Sequence, residues 1–237
     1  MSITDRFVAV DLETTGLSHG EDKITEVALV RFENGIETAC FQTLINPAVK
    51  IPERAVEITG ISNEMVADAP YIDEVVRAIA EFAGEDVLVG HSIMFDYGFL
   101  KKAMANAVIP FEKKGIDTLK IARKVLPELE HKKLDYLCEY FGIEEDHHHR
   151  ALNDARVTGR LLLKLWEMFG EKNEEVFNPY ELNYRARKEG PITPAQIKKL
   201  NHLIELYGIS KDFEVEKLTK NEASRKIDKI MSIYGII

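Results

Sequence analysis

The stretch Phe7-Val8-Ala9-Val10-Asp11-Leu12-Glu13 constrains this chain more than any other part of it. A short apolar run that leads into a turn signal reads as a strand buried in a core. Strand side chains alternate, so Asp11 and Glu13 project to one face while Val10 and Leu12 project to the other. Two acids set side by side on a core strand repel each other and lose hydration unless a cation compensates. An isolated Asp-x-Glu at an exposed strand end would need no such explanation. Here the core character of the strand and the tight turn signalled by Thr14-Thr15-Gly16 favour a metal ion.

The pattern that follows sets the architecture around this strand. Residues 23–35 and 36–47 read as two more strands joined by an Asn34-Gly35 hairpin turn, which makes an antiparallel three-strand meander. After Pro52 the periodicity changes to that of helices, around residues 52–58 and then 71–84. A short apolar strand is predicted over 86–92, a helix from Phe95 to Asn106, a strand near Gly115–Ile116, and helices over 118–126 and 134–142. A long amphipathic helix over 151–169 closes the unit before Gly170. A meander followed by alternating strands and helices predicts an α/β fold with a mixed sheet flanked by helices.

Three segments are expected: a catalytic-sized domain over 1–170, a polar linker with Pro179, Gly190 and Pro191 over 171–192, and a small C-terminal helical unit over 193–237. In that last unit Thr193 with Gln196, and Thr219 with Glu222, match the capping-box spacing at the start of apolar-periodic helices. The net charge of −9 argues against a broad basic nucleic-acid surface, although carboxylates gathered around cations make a bare sequence look more acidic than the loaded site. From Ala186 onward ten Lys/Arg face seven Asp/Glu, a balance of +3 that leaves −12 on the first 185 residues. Cys40 and Cys138 form no CxxC and no paired framework, and both are expected to be buried free thiols. No apolar run reaches the length of a membrane span, and the N-terminus turns acidic before a signal-peptide core could form, so a cytoplasmic location is expected.

Two further segments carry chemistry. In Gly90-His91-Ser92-Ile93-Met94-Phe95-Asp96 a buried strand ends and a helix starts, placing Asp96 in the first helical turn, where the helix dipole alone would favour an acid. In His149-Arg150-Ala151-Leu152-Asn153-Asp154 the histidine and the aspartate are five apart and converge only if His149 precedes the helix and bends back from a loop. His147 and His148 read as solvated loop. Asp117 reads as an N-cap, and Glu26, in an otherwise apolar strand, either supports a metal site or faces an edge. The hard oxygen donors point to Mg²⁺ or Mn²⁺ rather than zinc.

Taken together, residues 8–16, 91–100 and 149–155, in this order and spacing, resemble the three motifs of the DnaQ-like, DEDDh 3′→5′ exonucleases, a family that includes polymerase III proofreading subunits, PolC-type exonuclease domains, oligoribonuclease and RNase T. The resemblance covers roughly residues 5–170. It implies an RNase H-like fold, Asp11, Glu13, Asp96 and Asp154 as ligands of two Mg²⁺ or Mn²⁺ ions, and His149 as general base, with release of nucleoside 5′-monophosphates from single-stranded 3′ ends. Ser92 departs from the Asn of many members. Thr14, Gly16, Ile61, His91 and Phe95 are the expected substrate contacts; Phe99 is more naturally core, and Arg150 is either a phosphate contact or solvated. The helical tail is similar to a small module appended to phage and bacterial DNA-metabolism proteins, which makes DNA, with a polymerase or another replication or repair protein as partner, the preferred reading. An exoribonuclease of the RNase T or oligoribonuclease kind, and a catalytically silent binding module, are the alternatives.

Overall fold

A computed structural model describes residues 5–144, 150–186, 190–210 and 213–235, which divide into two compact units, 1–186 and 187–237. The first unit is built on six strands: β1 (Arg6–Thr14), β2 (Ile24–Glu33), β3 (Ile36–Leu44), β4 (Leu88–Gly90), β5 (Lys114–Asp117) and β6 (Tyr180–Glu181). They lie in the order β3-β2-β1-β4-β5-β6. The first three form the antiparallel meander, β4 and β5 continue parallel from β1, and β6 pairs antiparallel with β5. The predicted mixed sheet is therefore present, flanked by helices α1 (Glu53–Thr59), α2 (Asn63–Val66), α3 (Ile72–Ala83), α4 (Ile93–Asn106), α5 (Thr118–Val125), α6 (Leu134–Phe141) and α7 (Ala151–Phe169).

Side-chain alternation on β1 divides the core in two. Val8, Val10 and Leu12 pack with Val76 and Ile79 of α3 and Tyr97 and Leu100 of α4. Phe7 and Ala9 pack on the other face with Ile121 of α5, Leu137 of α6 and Leu161, Leu162 and Leu165 of α7. Each of those three leucines, fully buried, contributes about 1.5–3 kcal/mol relative to an exposed side chain. By the same parity Asp11 and Glu13 extend along the α7 side of the strand.

Helix α7 comes unusually close to the sheet because Gly159 has no side chain. A Cβ built there would lie 2.2 Å from the Phe32 ring of β2, which itself stacks on Phe7 at 5.0 Å. The same helix carries Asp154, so this contact sets the height of that carboxylate above the strands. Gly159→Ala is expected to cost about 1–3 kcal/mol through overpacking. Chemical denaturation of purified protein checks it, and an unchanged midpoint would mean that the helix can lift off the sheet freely.

The expected linker over 171–192 is shorter than the sequence suggested. Phe177 is buried edge-on to Trp166, β6 extends the sheet, and Leu182 occupies the space left by Gly115. Pro179 does not break this packing, because only a two-residue edge pairing follows it. The first unit consequently runs to about residue 186 rather than 170. Cys138 is buried on α6, but Cys40 is exposed: β3 is the sheet edge, and its side chains alternate outward.

The second unit contains α8 (Pro194–Tyr207) and α9 (Lys220–Ile233), packed through Leu200, Leu203, Ala223, Ile227 and Ile230. Both capping boxes form. Thr193 Oγ1 accepts from Gln196 N at 3.2 Å while Thr193 N donates to Gln196 Oε1 at 3.0 Å; the corresponding distances at Thr219 and Glu222 are 3.3 and 2.7 Å. Among the described residues, no helix is long and apolar enough to cross a membrane.

Candidate metal centre

The acids separated by more than a hundred residues in the chain meet at the end of β1. One carboxylate oxygen from each of Asp11, Glu13 and Asp154 lies within 4.8 Å of the others. Asp11 and Glu13 come from the strand, and Asp154 from the first turn of α7. Asp96, in the first turn of α4, reaches the same strand from its other side, where its Oδ1 accepts from the backbone N of Leu12, the residue between the two strand acids, at 3.1 Å. The strand ends in a register shift between Glu13 and Thr14, a bulge that turns the chain out of the sheet just past the acids.

The cluster is electrostatically strained. Burial pushes the Asp11 carboxyl well above the usual range, and the neighbouring charges of Asp96, Asp154, Glu13 and Glu26 push in the same direction. Glu13 is raised to about 8 by burial, then by Asp154 and Glu26, against a smaller opposing pull from Arg150. Burial raises Asp96 well above its ordinary value too, although backbone N–H groups, including that of Leu12, hold it back. Hard carboxylate oxygens that converge and resist ionising together are the donor set a divalent cation of the Mg²⁺ or Mn²⁺ type takes, because its charge removes the repulsion.

Glu26 has a definite task, which the sequence left open. It faces Glu13 across the β1–β2 pair and is fully buried, yet it accepts from Arg150 Nη2 at 2.8 Å, Arg150 Nε at 3.1 Å, Ala151 N at 3.2 Å and Gln42 Nε2 at 2.7 Å. The two-point arginine contact ties the start of α7 to the meander and so sets Asp154 beside Glu13. Arg150 is thus held by an acid of the fold. Asp117 is the expected N-cap, accepting from Lys120 N at 3.1 Å and also from Ser92 N at 3.2 Å.

The proposed substrate contacts divide. Thr14 donates its hydroxyl to Gly16 O at 2.6 Å, and a Cβ on Gly16 would lie 2.6 Å from the Asp22 carboxylate, so both residue types are explained by the turn; its backbone stays partly exposed beside the acids. Phe95 is half-buried, one residue before Asp96. Phe99 is core. Ile61 is completely buried with Ile51, Ala55 and Val66 beneath α1 and α2, leaving no surface for a base to touch. His91 has both ring nitrogens engaged, Nδ1 with Thr118 Oγ1 at 2.9 Å and Nε2 with Lys132 O at 2.7 Å, and burial lowers its pKa. It joins strand end to loop and has no ring nitrogen left for substrate. Ser92 sits at φ +83°, a left-handed position where Asn is better tolerated, which gives its departure from the family a backbone meaning. His149 lies outside the described residues.

One residue near the site was not anticipated. His19, from the loop after β1, packs against Phe95, Phe99 and Tyr184 and places Nε2 2.8 Å from Phe95 O. The sequence signal was Gly98, an unexplained glycine inside α4: a Cβ there would meet the His19 ring at 2.5 Å.

Comparison with known proteins agrees with this geometry. The RNase T exonuclease family profile matches residues 8–162, a span that contains all four acids. A DNA polymerase III epsilon subunit from Aquifex aeolicus is 40% identical over 162 residues, covering 68% of this chain and 80% of that protein. A PolC-type DNA polymerase III from Oceanobacillus iheyensis is 41% identical over 182 residues, 76% of this chain; the chain spans only 12% of the length of that relative. Among solved structures, exonuclease X in complex with 5′ overhanging duplex DNA superposes with a TM-score of 0.57 at 27% identity, over 73% of this chain and 99% of the other. With its acids converging on one strand end and its sequence matched across the whole motif-bearing span, the chain belongs to the RNase T exonuclease family, in the DnaQ-like, DEDDh group.

Proposed function

We propose that this protein is a 3′→5′ exonuclease that releases nucleoside 5′-monophosphates from single-stranded DNA ends in proofreading or repair. The observation that carries the reading is the convergence of Asp11, Glu13 and Asp154, with Asp96 hydrogen-bonded between the two strand acids. Two Mg²⁺ or Mn²⁺ ions held by these four residues would lower the pKa of a water and stabilise the departing 3′ oxygen. His149 takes the proton from that water, which an imidazole titrating near neutrality suits. The turn at Thr14 and Gly16 and the ring of Phe95 hold the terminal nucleotide, and the Glu26–Arg150 clamp keeps Asp154 in place without touching substrate. DNA is favoured over RNA by the similarity to polymerase III proteins. A DNA polymerase or another replication or repair protein in the cytoplasm is the partner in this reading.

Labelled single-stranded DNA and RNA of one sequence, incubated with Mg²⁺, Mn²⁺ or EDTA, provide the test. Mononucleotide release from DNA, blocked by EDTA, is expected. Faster release from RNA would make the protein an exoribonuclease, and binding without release would make it a silent module. His149→Ala is expected to reduce kcat by about a hundredfold or more with the fold intact. Wild-type turnover in that variant would remove His149 from the mechanism.

A further inference from the structure

The carboxyl ends of β4 and β5 border a cavity of about 470 Å³ whose walls include Ser92, Arg123, His131, Lys132 and Lys133, with Glu130 the acid among them. Arg123 comes from α5, Glu130 to Lys133 from the loop that leads into α6, and Ser92 from the junction of β4 and α4. The segment 120–133 carries five Lys/Arg against two Asp/Glu, although the first 185 residues as a whole sum to −12. Lys120 is occupied with the Tyr180 hydroxyl at 2.9 Å, and Lys132 donates to Leu129 O. Arg123 and Lys133 are exposed, and neither meets a carboxylate among the described residues.

The cavity lies at the carboxyl ends of the parallel strands, the same edge of the sheet on which β1 presents its acids, and none of the four carboxylates lines it. Ser92 lines it and leads into α4; Asp96 follows one turn later, about 6 Å along the helix axis. Its floor is fixed: the His91 ring is held at both nitrogens, one of them on Lys132 O, and the Ser92 amide is held by Asp117. A polyanion approaching so acidic a body is repelled unless cations are concentrated where it lands. Here an arginine fork, suited to two-point contact with a phosphate, and a lysine point charge stand without a carboxylate partner among the described residues.

We infer that this cavity seats a backbone phosphodiester of the nucleic acid whose end lies at the carboxylates. The inference rests on the nuclease reading above. The phosphate belongs either to the cleaved strand or to a complementary strand. Both sources present the same anion to Arg123 and Lys133.

The test is equilibrium binding of a fluorescent thymidine oligomer of about 20 nucleotides, alone and annealed to its adenosine complement, in EDTA, across about 50 to about 200 mM salt. Full-length protein is compared with a variant carrying Arg123→Gln and Lys133→Gln. The variant is expected to bind at least about tenfold more weakly, and its slope of log K against log salt to be shallower by about 0.7, the value for one lost single-strand phosphate contact. Identical affinity and slope for every ligand overturns the inference. An effect on the single strand alone assigns the phosphate to the cleaved strand; an effect confined to the annealed duplex assigns it to the complement. Hydrolysis in Mg²⁺ is scored separately. Wild-type protein that binds with this salt signature but never cleaves sinks the nuclease reading and leaves the cavity standing, whereas cleavage with an unaltered slope in the variant sinks the cavity alone.

Discussion

Asp11→Asn should abolish nucleotide release while making the metal-free protein more stable. The two effects share one cause. Asp11 is half-buried beside Asp96, Asp154, Glu13 and Glu26, and its ionised form is disfavoured by loss of hydration and by all four neighbours. A neutral amide of the same size spares the fold the cost of taking up a proton at that carboxyl or of ionising it beside the others, so the metal-free fold is stabilised. Each kcal/mol gained in a protein of this size raises Tm by about 2–4 °C. The same change removes a hard donor from the centre of the cluster. Losing several kcal/mol of metal-derived transition-state stabilisation corresponds to a fall in kcat of about a thousandfold or more. Turnover of labelled single-stranded DNA and thermal melting in EDTA are the paired measurements. A residue serving only the fold would give a lower Tm with turnover retained, and that outcome would end the assignment of Asp11 as a ligand.

Raising pH should destabilise the metal-free protein, and a divalent cation should reverse this. Glu13 is held at about 8 in the folded protein against 4.5 as its ordinary value. Between those values the folded state binds a proton that the unfolded state has released, so unfolding free energy falls as pH climbs through the window. The sign is opposite to that of a salt-bridged carboxylate, whose contribution is lost on acidification. Asp11 and Asp96 shift in the same direction and extend the effect. The loss is on the order of a few kcal/mol between about pH 5 and pH 8. Denaturant melts in EDTA across that range, repeated with saturating Mn²⁺, measure it. The ion binds the ionised cluster, so its stabilisation should grow with pH. A flat metal-free profile would mean that the carboxylates are relieved in another way.

Much of the site was legible before any coordinates. Alternation placed Asp11 and Glu13 on one face of a core strand, and the same parity now puts them beside α7. Asp96 and Asp154 were each expected in or near a first helical turn, and both are found there. Glu26 was ambiguous in sequence, because an acid inside an apolar strand reads alike whether it faces an edge, a metal or an arginine. Its partners are 16, 124 and 125 residues away. Ile61 is buried and His91 is engaged at both ring nitrogens, and the sequence cannot show either for a related reason: residue type shows what a side chain can do, while burial and competing partners decide what it is occupied with. The segment after Gly170 has the polar composition of a linker, but an aromatic and an aliphatic anchor, Phe177 and Leu182, find sites on the first unit that no local pattern announces.

By itself the sequence determined the order and type of most elements up to α7, the sidedness of β1 and both capping boxes, since these depend on periods of a few residues and on local hydrogen bonding. Only the tertiary structure decided that Glu26 clamps Arg150, that His19 backs Phe95, and that a basic cavity opens at the carboxyl ends of β4 and β5. Each of those depends on contacts between residues distant in the chain, where packing and charge select a partner only after the sheet has brought the candidates together.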